Sequence, residues 1–262
     1  LEMVRDAIGA LGYGGDCRPA VLTYLAMTTR LLRHRVGAMP AHLLLVGPPS
    51  GGKSYTVDLC LRLLPRDAYH KIDAASPRVL IYDDVDLRHR VVIFGESDSL
   101  PAGEDNPAAS AIRALLSDGV LTYKVTVRDP GTGDFVVKTI DRPGPTVLVT
   151  TAVRRLGPQL DSRLFVLDVP DDQAHLSHAL ATQARIELDG SAEADDREAL
   201  VAYQELLGAR APWDVRAEGL ARLERDGLPA VFYDHQNPTD LFARVDDLLR
   251  RDVSHVAALG YR

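Results

Sequence analysis

The stretch Gly47-Pro48-Pro49-Ser50-Gly51-Gly52-Lys53-Ser54 has the spacing G-x-x-x-x-G-K-[ST]. Those residue types at that spacing suit one chemistry, the holding of a phosphate chain. Glycines let the backbone turn tightly enough for several N–H groups to converge on one anion, and a helix starting at the turn adds its dipole. Lys53 would reach the β- and γ-phosphates of a nucleotide, and the Ser54 hydroxyl would ligate magnesium. ATP and Mg2+ are the expected cofactors, with Gly47 to Ser54 as the binding set. The alternative is a glycine-rich turn with a surface lysine. Context argues against it. His42-Leu43-Leu44-Leu45-Val46 reads as a buried strand ahead of the turn, and Tyr55 to Leu64 carries apolar residues at helical spacing behind it.

A carboxylate follows on a second apolar run. Val91-Val92-Ile93-Phe94 predicts a buried parallel strand, and it ends in Gly95-Glu96-Ser97-Asp98. In ATPases with such a loop, this strand ends in Asp-Glu, one carboxylate near magnesium and the next beside the attacking water. Glu96 stands at the water-polarising position and is an expected catalytic residue. Gly95 stands where the aspartate belongs. Magnesium would then rest on Ser54, phosphate oxygens and water, with Asp98 or an acid of Asp83-Asp84 as a further ligand. The alternative for Glu96 is an exposed acid capping the segment that follows.

Elements must hold these groups in place. Residues 1–40 predict two helices, the second over Ala20 to Arg35 with an apolar stripe (Val21, Leu22, Leu25, Leu32) and a basic end, broken by Gly37 and Pro40. Tyr69–Ile72 is a second strand and Pro77–Tyr82 a short helix. Leu100–Asn106 is a loop, and Pro107–Ser117 is helical. Tyr123–Arg128 and Phe135–Ile140 alternate around the turn Asp129-Pro130-Gly131-Thr132-Gly133-Asp134, which predicts a β-hairpin with Lys124, Thr126 and Arg128 on one face. Thr146–Thr150 and Leu164–Val169 are further buried strands. Strands alternating with helices predict an α/β fold with a central parallel five-stranded sheet. After Pro170, Ala-rich segments (172–188, 197–207, 240–251) around an acidic linker at 189–196 predict a helical lid over 171–262, behind an ATPase core at 41–170 and an N-terminal helical segment at 1–40.

With 262 residues, the chain has room for one large α/β domain, alone or with a lid. The net charge of −7 argues against a free-standing, high-affinity DNA binder, although a local basic element remains compatible with it. No apolar run approaches the ~20 residues of a membrane span. Cys17 and Cys60 are the only cysteines, which excludes a disulfide scaffold or a four-cysteine zinc site and suits a cytoplasmic protein. Cys60 is expected as a small core residue. The start at Leu1 leads us to expect a fragment of a longer protein. His34, His42, His70, His89, His175 and His178 lack metal spacing with acids or cysteines, so hydrogen bonding is their expected role. Trp213 is expected to pack in the lid.

The order of these features resembles an AAA+ ATPase. The hairpin falls between the helix after the Glu96 strand and the next strand, the place of the pre-sensor-1 hairpin in the clade of MCM and superfamily 3 helicases. Asp161-Ser162-Arg163-Leu164-Phe165 is similar to the arginine-finger motif of MCM-type proteins. Ile112–Gly119 and Gly144–Thr151 look like ATPase modules of primase-related proteins of bacterial mobile elements. The likeness spans about residues 40–170 and is weak in the last 90.

The resemblance implies roles position by position. Thr151, with Thr150 beside it, matches sensor 1, where a polar side chain bonds the attacking water or the γ-phosphate; the family usually has Asn there. Arg163 matches the finger that enters a neighbouring subunit's nucleotide site, the alternative being a surface salt bridge. Arg250 or Arg251 matches a sensor-2 arginine, although helix ends often carry basic residues. Lys124, Arg128 and Lys138 on the hairpin would grip a nucleic-acid backbone in a ring's pore; the alternative is a solvated edge hairpin, and Asp129 and Asp134 favour it. The implied function is ATP hydrolysis by a homo-oligomeric ring, possible hexamer, coupled to DNA translocation or unwinding. The alternatives are a loader or scaffold switch with slow hydrolysis, and a small-molecule kinase.

Overall fold

Four short leucine- and valine-rich runs and an edge strand, Tyr69-His70-Lys71-Ile72, line up in parallel at the centre of the molecule. The computed structural model describes residues 2–33, 39–72, 79–95, 107–156, 158–170, 173–189 and 195–212. Its elements are helices α1 (Glu2–Ala10) and α2 (Arg18–Thr28), strand β1 (Leu43–Val46), α3 (Lys53–Leu61), β2 (Tyr69–Ile72), α4 (Val79–Tyr82), β3 (Arg90–Phe94), α5 (Pro107–Asp118), the hairpin β4 (Val120–Arg128) and β5 (Phe135–Pro143), β6 (Thr146–Ala152), α6 (Pro158–Asp161), β7 (Phe165–Asp168), α7 (Gln173–Asp189) and α8 (Asp195–Ala209). The sheet runs β2-β3-β6-β1-β7, all parallel. The fold is thus α/β around a five-stranded parallel sheet.

Both faces of the inner sheet are covered, which is why β3, β6 and β1 are apolar in near-continuous runs rather than alternating, whereas edge strand β2 carries His70 and an exposed Lys71. Leu43, Leu45, Val91, Ile93, Val147, Val149 and Leu167 face a layer that holds α1, α2, α3 and Leu200 of α8. Leu44, Val92, Phe94, Leu148 and Val166 face a layer built from α4 and α5, with Leu121 at the hairpin's base. Residues from 2–33 therefore sit in the same core as the strands. Cys60 is fully buried in that core and donates to the Ala20 carbonyl at 3.2 Å.

The second helix ends earlier than its apolar stripe predicts. It stops at Thr28, passes through a 3-10 turn at Thr29–Leu31, and is extended at Leu32. The cause is local. Thr28 Oγ1 donates to the Tyr24 carbonyl, and Thr29 Oγ1 donates to Ala26 while accepting the Ala41 amide. Side-chain hydroxyls of this kind compete with the helical ladder. The hairpin is longer than expected, nine residues in each strand.

The hairpin register pairs Lys124 with Thr139, Thr126 with Val137 and Arg128 with Phe135 on one face. Val125 pairs with Lys138 on the other, so the three expected basic residues divide between two faces. Phe135 and Val137 are exposed beside Lys124 and Arg128.

Helix α8 is docked on the N-terminal helices. It contacts α1, and its buried Gln204 accepts from Arg30 Nη1 at 2.9 Å and donates to the Tyr24 hydroxyl and Thr28 Oγ1 at 2.8 Å each. Helix α7 lies against the turn after α1, where a Cβ at Gly14 would come within 2.6 Å of Ala179 Cα. The expected helix at 240–251, with Arg250 and Arg251, lies outside the described residues, as does Trp213. So do Glu96, Ser97, Asp98, His34 and Gly37. Among the described residues no helix is long and apolar enough to cross a membrane.

Candidate functional site

Strand order concentrates the candidate residues at one edge of the sheet. In parallel sheets the C-terminal ends of all strands share an edge, and a cleft opens where neighbouring connections leave in opposite directions. β1 lies between β6 and β7, and β6 separates it from β3. The glycine-rich loop leaves β1 at this edge, Thr150 and Thr151 end β6 beside it, and Gly95 follows β3.

The loop takes two left-handed residues, Ser50 (φ 61°) and Gly52 (φ 82°). Gly52 meets that demand at no steric cost, whereas Ser50 holds a conformation that costs a non-glycine residue about 1 kcal/mol. The Gly51 amide closes a turn onto the Pro48 carbonyl at 3.2 Å. Helix α3 then starts at Lys53 with no side chain capping it. Its first intrahelical bond runs from the Thr56 amide to the Gly52 carbonyl, so the amides of Lys53, Ser54 and Tyr55 have no helical acceptor, the arrangement in which a helix start favours an anion. Ser54 is exposed on this first turn.

Lys53 is folded into the loop rather than extended into solvent. It is only 9% exposed, and Nζ donates to the Gly47 carbonyl at 2.9 Å and the Pro48 carbonyl at 2.6 Å. Among the described residues it makes no ion pair. A buried ammonium without an anion is unfavourable. Two carbonyls compensate its desolvation in part.

Adjacent threonines on β6 have opposite surroundings. Thr151, 4% exposed, donates its hydroxyl proton to the Gly95 carbonyl at 2.7 Å. Thr150 is fully buried, and its Oγ1 has no hydrogen-bond partner. By strand alternation Thr151 continues the Val147–Val149 face toward α3, and Thr150 continues the Leu148 face toward α5.

Arg163 lies at the other edge. It precedes β7, whose first residue pairs with the start of β1. Its Nε donates to Ser117 Oγ at the end of α5, at 2.7 Å. The four-residue β1 alone separates the two edges by about 13 Å. Arg163 therefore stands away from its own chain's loop.

His42 fills the hydrogen-bonding role expected of it, although its partners were not apparent from sequence. Buried His42 accepts the Leu148 amide on Nδ1 and, carrying its proton on Nε2, donates to the Leu116 carbonyl, both at 3.1 Å. This neutral ring ties the start of β1 to β6 and α5. Tyr13 stacks on Tyr55 at 6.4 Å and meets the His175 ring edge at 6.3 Å, and its hydroxyl lies 3.4 Å from Thr56 Oγ1, whose own proton goes to the Gly52 carbonyl. Burial pushes the Tyr13 phenol up to about 12, so it stays neutral. The signal for this cluster is the run Gly12-Tyr13-Gly14-Gly15, tight enough to let α7 approach. His175 thus packs on an aromatic ring, and among the described residues no three His, Cys, Asp or Glu side chains are grouped so as to hold a metal ion. A divalent ion at this edge would have hydroxyl oxygens, phosphate oxygens and water as ligands. That donor set suits magnesium, which retains much of its water.

No known family model matches this chain, and no curated protein matches it.

Proposed function

We propose that this chain binds ATP with Mg2+ at Gly47–Ser54 and hydrolyses it as an oligomeric AAA+ ATPase of the pre-sensor-1 hairpin type. The observation that carries this reading is Lys53. A buried cation held by two carbonyls of its own loop, beside an uncapped helix start, favours a polyphosphate as its counter-ion. Ser54 would ligate magnesium, which would offset charge on the β- and γ-phosphates. Lys53 would swing from the carbonyls to those oxygens. Glu96, which follows Gly95 in the sequence, would orient the attacking water, and Arg163 would serve the site of a neighbouring subunit. The work coupled to hydrolysis is movement of a nucleic-acid strand, with the basic face of the hairpin, Lys124 and Arg128, as its contact.

The test is nucleotide binding and turnover. Lys53→Ala is expected to lose ATP binding, and Glu96→Gln to bind ATP but lose hydrolysis. Wild-type affinity in Lys53→Ala would overturn the proposal. One observation favours a slower switch over a motor: Gly95 offers magnesium no side chain. Turnover that single-stranded DNA does not stimulate, together with ATP-driven assembly, would support the switch.

A further inference from the structure

Thr151 is expected from the family likeness to donate a hydrogen bond to the γ-phosphate or the attacking water. Its geometry is different. A threonine hydroxyl has one proton and two lone pairs. Here the proton goes to the Gly95 carbonyl, 2.7 Å away, in an environment that leaves Thr151 4% exposed. What the side chain offers to any further partner is acceptor capacity. Phosphate oxygens are acceptors too, so they gain nothing from it. A water bound to a divalent cation is polarised and is a strong donor.

Position points the same way. Val91 and Ile93 of β3 and Val147 and Val149 of β6 face the layer that contains α3. Counting on by twos, Gly95 and Thr151 fall on that face, the side of the sheet from which α3 presents Ser54. Thr151 pairs in register with Leu45, two residues before Gly47. It is thus next to the loop, on the strand between the loop and Gly95. Thr150, on the opposite face, does not share this position.

We propose that Thr151 is a positioning residue for the metal: its oxygen accepts a hydrogen bond from a water on the nucleotide's magnesium, in place of the carboxylate that Gly95 cannot supply. This rests on the proposed ATP site at Gly47–Ser54. The Gly95 carbonyl holds the hydroxyl proton and so fixes the direction in which the lone pairs point. Outer-shell partners of this kind typically change metal affinity about 10–100-fold when removed.

The experiment is a Mg2+ titration of a fluorescent ATP analogue bound to the full chain, with parallel titrations of ATP and ADP in EDTA. Thr151→Val keeps the shape and removes the oxygen; Thr151→Ser keeps the oxygen. The expected result is that Thr151→Val binds ATP and ADP in EDTA as the wild type does but needs about 10–100-fold more Mg2+ for its half-maximal effect. Thr151→Ser is expected to stay near wild type. An unchanged Mg2+ midpoint in Thr151→Val would overturn the proposal. So would a loss of ATP but not ADP affinity in EDTA, because that marks a direct contact with the γ-phosphate. Lys53→Ala separates this failure from failure of the site itself. If the wild type binds the analogue no better than Lys53→Ala, the ATP site is wrong and this inference falls with it.

Discussion

The hydroxyls of Thr150 and Thr151 are one residue apart on β6, and only one of them is hydrogen-bonded. Thr151 gives its proton to Gly95, whereas Thr150 Oγ1 is buried among apolar side chains with no partner. A buried polar group left unpaired costs about 1–3 kcal/mol. Thr150→Val has nearly the same shape and removes that cost, so we expect the unfolding free energy to stay level or rise by up to about 1–3 kcal/mol. Urea unfolding, followed by circular dichroism, measures it. A loss of stability would mean that the hydroxyl has a native partner. Unaltered stability combined with impaired ATP turnover would instead assign Thr150 a role in the site. Lys53 shows the same principle with a charge. Its two carbonyl acceptors are weaker partners than an anion, which is the basis of the polyphosphate site proposed above.

At the scale of elements, α8 is seated on the N-terminal helices through Gln204. Arg30 is 2% exposed; burial pulls its guanidinium down to about 10, so it remains charged at neutral pH. Gln204 accepts from it and in the same stroke donates to Tyr24 and Thr28. Gln204→Leu would leave a buried cation short of an acceptor, and hydrogen bonds to charged groups are the expensive ones to lose. We expect Gln204→Leu to cost about 3 kcal/mol and Gln204→Glu less, since a carboxylate keeps the bond to Arg30 and the Tyr24 hydroxyl can rotate to donate to it. Thermal or urea unfolding of the pair decides the matter; equal losses would refute it. This seat was not legible in the sequence. Gln204 and Arg30 are 174 positions apart, and nothing local to either announces the other. What was legible is what is local. The apolar runs gave β1, β3, β6 and β7 to within a few residues, because strands covered on both faces have to be largely apolar; β2, Tyr-His-Lys-Ile at the sheet's edge, is not such a run. The glycine loop was legible because its residues are contiguous. The end of α2 was missed because Thr28 and Thr29 stop a helix through their hydroxyls, which a 3.6-residue periodicity does not register. The Thr151–Gly95 bond was missed for the same reason as the Gln204 seat: it joins two strands brought together only by the fold.

At the scale of the molecule, the two edges of the sheet divide the proposed machinery. The loop, Thr151 and Gly95 are at the C-terminal edge; Arg163 is at the N-terminal edge, anchored through Nε to Ser117. If Arg163 serves the proposed site of a second copy, the two copies join head to tail, and a heterologous interface of that kind either closes into a ring or runs on as a filament. This gives a prediction that no single-chain site could meet. Arg163→Ala alone is expected to lower turnover by about 10³-fold or more, the scale at which arginine fingers act, with ATP affinity little changed. Glu96→Gln alone is expected to bind ATP without turnover. Mixed in equal amounts, a quarter of the interfaces would join an intact Glu96 site to an intact Arg163, so activity is expected to recover toward roughly a quarter of the wild-type rate if interfaces act independently. The mixture is measured by phosphate release, alongside mass measurement in ATP to establish that the two variants co-assemble. Co-assembly with no recovery at any ratio would remove Arg163 from its neighbour's site. Full activity of Arg163→Ala by itself would show that its bond to Ser117 serves only to tie α5 to the start of β7.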